Sequence, residues 1–145
     1  MRISEVMTRD VRVVAPNQTI EEAARLMGEL DIGALPVAEN EKLVGMITDR
    51  DIAVRAVARS CGPQTPISEA MTQDIKYCFE DQTTDEVTRN MADIQVRRLP
   101  VVDRNKRLVG ILSLGDLAHA DTPDAGMALK GISQPGGEHS QSARH

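Results

Sequence analysis

The chain has 145 residues, a net charge of −5 and a pI near 5.2, with one Tyr, one Phe and no Trp. That length suits one domain or a compact pair of half-domains, with a core built from aliphatics and seven Met. The acidic balance and scarcity of rings argue against a nucleic-acid partner, which calls for a basic face and aromatic stacking.

No apolar run approaches membrane-spanning length, and the N-terminal residues lack a signal-peptide stretch, so a cytoplasmic protein without membrane association is expected. Cys61 and Cys78 form no motif with each other or with His119, His139 and His145. They read as ordinary thiols, one in a linker and one in a strand, and no metal site is expected.

In chain order, Val11-Arg12-Val13-Val14 predicts a short strand closed by Ala15-Pro16-Asn17. Thr19-Ile20-Glu21-Glu22 is a capping-box pattern, opening a helix with Ile20, Ala23, Ala24, Met27 and Leu30 on its apolar face. Gly28 inside it weakens the helix slightly and suggests close packing. Leu35-Pro36-Val37-Ala38 predicts a strand, Glu39-Asn40-Glu41-Lys42 a hairpin turn, and Leu43-Val44-Gly45-Met46-Ile47 a buried strand. Thr48-x-x-Asp51 then starts a helix running to about Arg59, with Ile52, Ala53, Ala56 and Val57 on its buried side.

Ser60-Cys61-Gly62-Pro63-Gln64-Thr65-Pro66 is the strongest internal break. Beyond it the grammar restarts. Met71-Thr72-x-Asp74 repeats Met7-Thr8-x-Asp10, Gln82-Thr83-x-x-Glu86 repeats Gln18-Thr19-x-x-Glu22, and Met91 repeats Met27. Leu99-Pro100-Val101 repeats Leu35-Pro36-Val37, and after one inserted hairpin residue Leu108-Val109-Gly110-Ile111-Leu112-Ser113-Leu114-Gly115-Asp116 repeats Leu43 to Asp51. The chain is therefore an internal duplication. The expected fold is α/β of the α+β kind: two β-α-β-β-α half-domains, 1–60 and 69–120, joined by a linker at 61–68. They are expected to pack pseudo-two-fold through their sheets. Residues 121–145 are expected to be disordered, with at most a helical turn over Met127-Ala128-Leu129-Lys130.

These residues resemble a pair of cystathionine-β-synthase (CBS) domains, together called a Bateman module. The resemblance rests on Asp31-Ile32-Gly33-Ala34-Leu35-Pro36-Val37, on Val96-Arg97-Arg98-Leu99-Pro100-Val101-Val102-Asp103, and on the paired Gly-x-x-Thr/Ser-x-x-Asp segments. It covers roughly residues 1 to 120 and is nearest to small stand-alone pairs such as the hypoxic response protein group. Similar pairs occur in inosine monophosphate dehydrogenase and in the regulatory subunit of AMP-activated protein kinase.

The resemblance implies a homodimeric sensor rather than an enzyme, with no obligatory cofactor. Such pairs bind an adenosine-containing ligand (AMP, ADP, ATP, S-adenosylmethionine or NAD) in clefts between the repeats and act on a partner, here unknown. Asp116 and Asp51 would hold ribose hydroxyls, with Ser113 and Thr48 helping at ribose and phosphate. One cleft, built on Ile111, Ser113 and Asp116, would take Thr8, Val13, Ile32 and Gly33, with Arg97 and Arg98 near the phosphate. The other, built on Ile47, Thr48 and Asp51, would take Thr72, Lys76, Tyr77 and Val96, with Arg50 or Lys76 as its cation. Because Gly33-Ala34 stand where the other copy has Arg97-Arg98, the Asp116 cleft is expected to be the better nucleotide site.

The chemistry is sound in itself: a carboxylate accepts from two vicinal hydroxyls, apolar walls enclose a purine, and a guanidinium suits phosphate. Plainer roles remain open. The Thr/Ser-x-x-Asp pairs work as helix caps, Arg97-Arg98 as a solvated pair or an internal ion pair, and Tyr77 as packing. A ligand-independent interaction or stress-response scaffold is the alternative function.

Overall fold

The computed structural model describes residues 1–94 and 98–119. Val96 and Arg97 and the segment 121–145 expected to be disordered lie outside the described residues. The fold mixes helices with small sheets, as expected, and divides into two compact units. The first is Arg12–Ile75; the second joins Met1–Val11 to the described residues from Lys76 onward.

The first unit holds α1 (Ile20–Leu30), β1 (Ala34–Glu39), β2 (Lys42–Thr48) and α2 (Asp49–Asp51). α2 runs on as a π-helical segment, Ile52–Ala56, and a 3-10 turn, Val57–Arg59. β1 and β2 pair antiparallel around Asn40 and Glu41, whose φ of 52° and 69° give the left-handed pair that a tight hairpin needs. The expected strand at 11–14 shrinks to Val14, a single parallel bridge to Val37. Its counterpart in the second unit extends because Glu80 N donates to Val102 O at 3.0 Å. The matching position is Pro16, which has no N–H to give.

Thr19 caps α1 by accepting from Glu22 N at 3.2 Å. Of the expected face, Ile20, Ala23 and Met27 are buried; Ala24 is exposed, and Leu26 packs against the core instead. Gly28 serves no close packing, since an added Cβ would meet nothing within 4 Å. The helix after Thr48 also departs from expectation: Ala56 is buried, but Ala53 is exposed and Val57 is 66% exposed. Hydrogen bonds spaced five residues apart widen the turn, so an α-periodic apolar pattern no longer lies along one side.

The break segment is docked on α1. Thr65 O and Pro63 O accept from Ile20 N at 2.9 Å and Glu21 N at 3.2 Å, donors that a helix start leaves free. Next, the 3-10 turn Ile67–Glu69 seats Ile67 in this unit's core, with Ile67 N donating to Gln18 O at 2.7 Å.

The second unit repeats the plan with β3 (Cys78–Phe79), α3 (Thr84–Ile94), β4 (Arg98–Val102), β5 (Leu108–Ser113) and α4 (Leu114–His119). β3 runs parallel to β4, and β4 antiparallel to β5. The turn Ile3–Glu5 does here what Ile67–Glu69 does in the first unit, with Ile3 N donating to Gln82 O at 2.9 Å and Ile3 fully buried. Each unit has its own core, around Met27, Leu35, Val37 and Ile47 in one and Ile3, Met91, Val101 and Leu112 in the other. No helix among the described residues is long and apolar enough to cross a membrane.

Candidate functional site

The two Thr/Ser-x-x-Asp segments fold alike. Each follows a strand and closes a reciprocal box. Thr48 N donates to Asp51 Oδ2 and Asp51 N to Thr48 Oγ1, both at 3.0 Å. Ser113 N donates to Asp116 Oδ2 at 3.0 Å, and Asp116 N to Ser113 Oγ at 3.1 Å. The box commits one carboxylate oxygen, Oδ2, and leaves Oδ1 outside it.

What faces Oδ1 separates the copies. In the second unit the Thr8 hydroxyl donates to Asp116 Oδ1 at 3.1 Å. Thr8 is held there by a two-way backbone pair with Ile111: Thr8 N to Ile111 O and Ile111 N to Thr8 O, both 2.9 Å. In the first unit Thr72 makes the matching pair with Met46, at 2.8 and 3.0 Å. There the group nearest Asp51 Oδ1 in an ion pair is Arg55, with Nε at 3.7 Å and Nη1 donating to Met71 O at 3.2 Å. Arg55 was not among the expected site residues; its place four residues after Asp51 was the available signal.

Both glycines before the boxes exist for close approach. A Cβ on Gly110 would stand 2.8 Å from Thr8 O and 2.7 Å from Met7 Sδ; one on Gly45 would stand 2.8 Å from Thr72 O and 3.0 Å from Met71 Sδ. The Met-Thr segments lie on the strands because those positions have no side chain.

Strand alternation corrects one residue. Ile111 and Ser113 share the partly exposed face of β5, and their counterparts on β2 are Met46 and Thr48. Ile47 corresponds to Leu112; both are fully buried, so the Ile47 side chain packs the core and Met46 occupies the place given to it.

Arg98 pairs with Ser113 across β4 and β5, whereas Ala34 pairs with Thr48 across β1 and β2. An exposed guanidinium thus neighbours the second box and a methyl group the first. Gly33 O accepts from Asp49 N at 2.9 Å, and a Cβ on Gly33 would lie 2.9 Å from Asp49 Oδ2. The first box therefore carries a second carboxylate where the other copy has Leu114. Arg50 is exposed beside it.

The remaining expected residues divide between the units. Val13, 44% exposed, and the partly buried Ile32 and Gly33 belong to the unit of Asp51. Lys76 and Tyr77 belong to the unit of Asp116. Tyr77 meets Phe79 edge-on at 5.7 Å between ring centroids, with Lys106 Nζ 5.5 Å from its own centroid. Arg104 covers Phe79 at 4.3 Å and grips Asp81 through two bonds of 2.8 and 2.9 Å, which hold the Asp81 carboxyl below its usual range. Among the described residues no cluster of three His, Cys, Asp or Glu could hold a metal ion.

The family model for the CBS domain matches residues 3–57 and again 67–122. The chain is 46% identical over 133 residues to the CBS domain-containing protein YhcV of Bacillus subtilis, covering 90% of this chain and 94% of that one. It is 37% identical to hypoxic response protein 1 of Mycobacterium tuberculosis, covering 79% and 80%. Among solved structures, CBSX2 in complex with AMP superposes with a TM-score of 0.73 at 25% identity, covering 83% of this chain and 95% of that one. The CBS domain pair of MJ0100, in complex with 5′-methylthioadenosine and S-adenosyl-L-methionine, superposes with a TM-score of 0.70 at 30% identity, again covering 83% and 95%.

Proposed function

The chain belongs to the CBS-domain family as a tandem pair, and from that premise we propose that it is a regulatory module whose Asp116 site takes an adenosine-containing ligand by its ribose. The observation that carries the reading is the state of the Asp116 carboxylate. Its two oxygens are fixed by Ser113 N and the Thr8 hydroxyl, yet each retains a lone pair, which is what a vicinal diol needs. Fixing the acid beforehand removes the cost of ordering it when the ligand arrives. Ile111 supplies an apolar wall beside it on the same strand face, and Arg98 an exposed charge for a phosphate or carboxylate. The ligands of CBSX2 and MJ0100 support the adenosyl class.

Occupation of the site would regulate a target protein by favouring one arrangement of the module over another, which requires unequal affinity for the two. A homodimer is part of this reading. Val54 and Val57, 46% and 66% exposed on the segment after α2, favour a second reading in which the module is a ligand-independent docking scaffold.

Thermal-shift and calorimetric titration with AMP, ATP and S-adenosylmethionine separates the two. The sensor reading expects stabilisation growing with ligand concentration, by about 2.7 kcal/mol at a hundredfold excess over Kd. It also expects that gain to vanish in Asp116→Ala. No response to any adenosyl compound leaves the scaffold, and equal losses from Asp116→Ala and Asp51→Ala end the preference for Asp116.

A further inference from the structure

We infer that Arg55 latches the Asp51 copy of the site, so that the free chain offers one ribose-binding acid rather than two. The inference rests on the ribose-binding reading of Asp116 and adds what decides occupancy at its duplicate. The two boxes are the same to within a tenth of an ångström in every hydrogen bond, so the boxes themselves cannot discriminate. The difference lies at Oδ1, the oxygen a diol has to reach.

At Asp116, Oδ1 meets a neutral hydroxyl that can also accept, so a ribose hydroxyl can join the network. At Asp51, Oδ1 faces a guanidinium with no acceptor capacity, and the charge of the acid is matched before any ligand arrives. Arg55 is also held from its other end by Met71 O, on the segment that β2 grips through Met46 and Thr72. Three features build the latch. The helix following Asp51 widens into a π-helical segment that contains Arg55. The position matching Arg55 is Ala120 in the second repeat. The Asp51 side chain is 12% exposed and that of Arg55 44%, so the ion pair is shielded from water on the side of the acid. A ligand at Asp51 must first draw Arg55 off both partners, at a cost of about tenfold in affinity that comes mainly from the charged hydrogen bond to Met71 O.

Calorimetric titration of AMP into the full chain reads this as stoichiometry. The wild type binds one AMP per chain. Arg55→Ala binds two, the second lost again in Arg55→Ala/Asp51→Asn. Asp116→Asn, which keeps an acceptor for the cap, binds none at the same concentrations, and Arg55→Ala/Asp116→Asn regains one. A cooperative thermal melt of each variant confirms that it is folded. If Arg55→Ala leaves the stoichiometry at one, or weakens AMP binding, the guanidinium is no latch; weakening would make it a phosphate contact instead. If neither wild type nor Arg55→Ala binds AMP, the ribose-binding reading has failed and the latch with it. One site in the wild type with no gain in the variant overturns the latch alone.

Discussion

Asp116 and Thr8 lie 108 positions apart in the chain, and the Thr8 hydroxyl donates to Asp116 Oδ1 at 3.1 Å. The bond is made because Met1–Val11 belongs to the unit of the second repeat, anchored by Ile3 at one end and the Thr8–Ile111 pair at the other. The carboxylate is thereby pinned on both oxygens by neutral donors. Thr8→Val removes the hydroxyl at nearly constant volume. We predict that AMP binds this variant roughly tenfold more weakly, the effect of one hydrogen bond to a charged group. Its melting temperature should change little, since the bond is exposed to solvent. Calorimetry against wild type is the check, and unchanged affinity would remove Thr8 from the site.

Gly110 tests the same geometry through the backbone. Its missing side chain lets Thr8 O approach, and a Cβ there meets that oxygen at 2.8 Å, where no rotamer change can relieve it. Gly110→Ala is expected to cost about 1–3 kcal/mol of stability, as overpacking does, and to weaken AMP binding by moving Thr8 off Asp116. Gly45→Ala pushes on Thr72 O at the same distance and should cost as much in a urea melt. On the one-site reading it leaves AMP affinity close to wild type. If both glycine variants lost AMP binding alike, that reading would be wrong.

Gly28 is the opposite case. It stands in the last turn of α1 with open space where a side chain would be. Nothing offsets the backbone entropy that glycine loses in a helix. Gly28→Ala should raise stability by about 1 kcal/mol, visible as a rise of a few degrees in melting temperature. AMP binding should not change. A fall in stability would mean that this face of α1 is covered in the functional protein.

The repeat made much of this fold legible in advance. Thr19, Thr48 and Ser113 each cap a helix as their spacing predicts, because capping is a local transaction among four consecutive residues. Met27 and Met91 are buried as helical periodicity requires. What escaped the sequence depended on partners far away. Pro16 against Glu80 decides a strand only once Val102 O is known to be waiting, and the widened turn at Ile52–Ala56 has no compositional mark. Gln18 and Gln82 stand in the sequence as part of a repeated pattern, but their work is specific. Each side-chain carbonyl accepts from a backbone N–H three residues earlier, Ala15 and Phe79, while the amide donates to Glu22 and Glu86. At the site, the acids and hydroxyls are legible as repeated motif letters, whereas Arg55 has Ala120 at the matching position and is marked only by its spacing of four from Asp51.

Cys78 gives a prediction in pH. It is 2% exposed on β3, and burial pushes its thiol from 9.0 up to about 12. Below pH 9 the thiol is protonated in both folded and unfolded chains and contributes no pH dependence. Between 9 and about 12 the unfolded chain loses the proton while the folded chain keeps it. The folded state then binds more protons, so stability falls as pH rises, by about 1.4 kcal/mol per unit at full slope. Cys78→Ala should flatten this part of the curve, and the difference between the two proteins' urea midpoints from pH 8 to 11 measures it. The same burial governs reactivity, because the thiolate is the nucleophile. At pH 8 a thiol reagent should label the half-buried Cys61 in the folded protein and reach Cys78 only on unfolding. Prompt labelling of both would show that β3 opens far more readily than its burial implies.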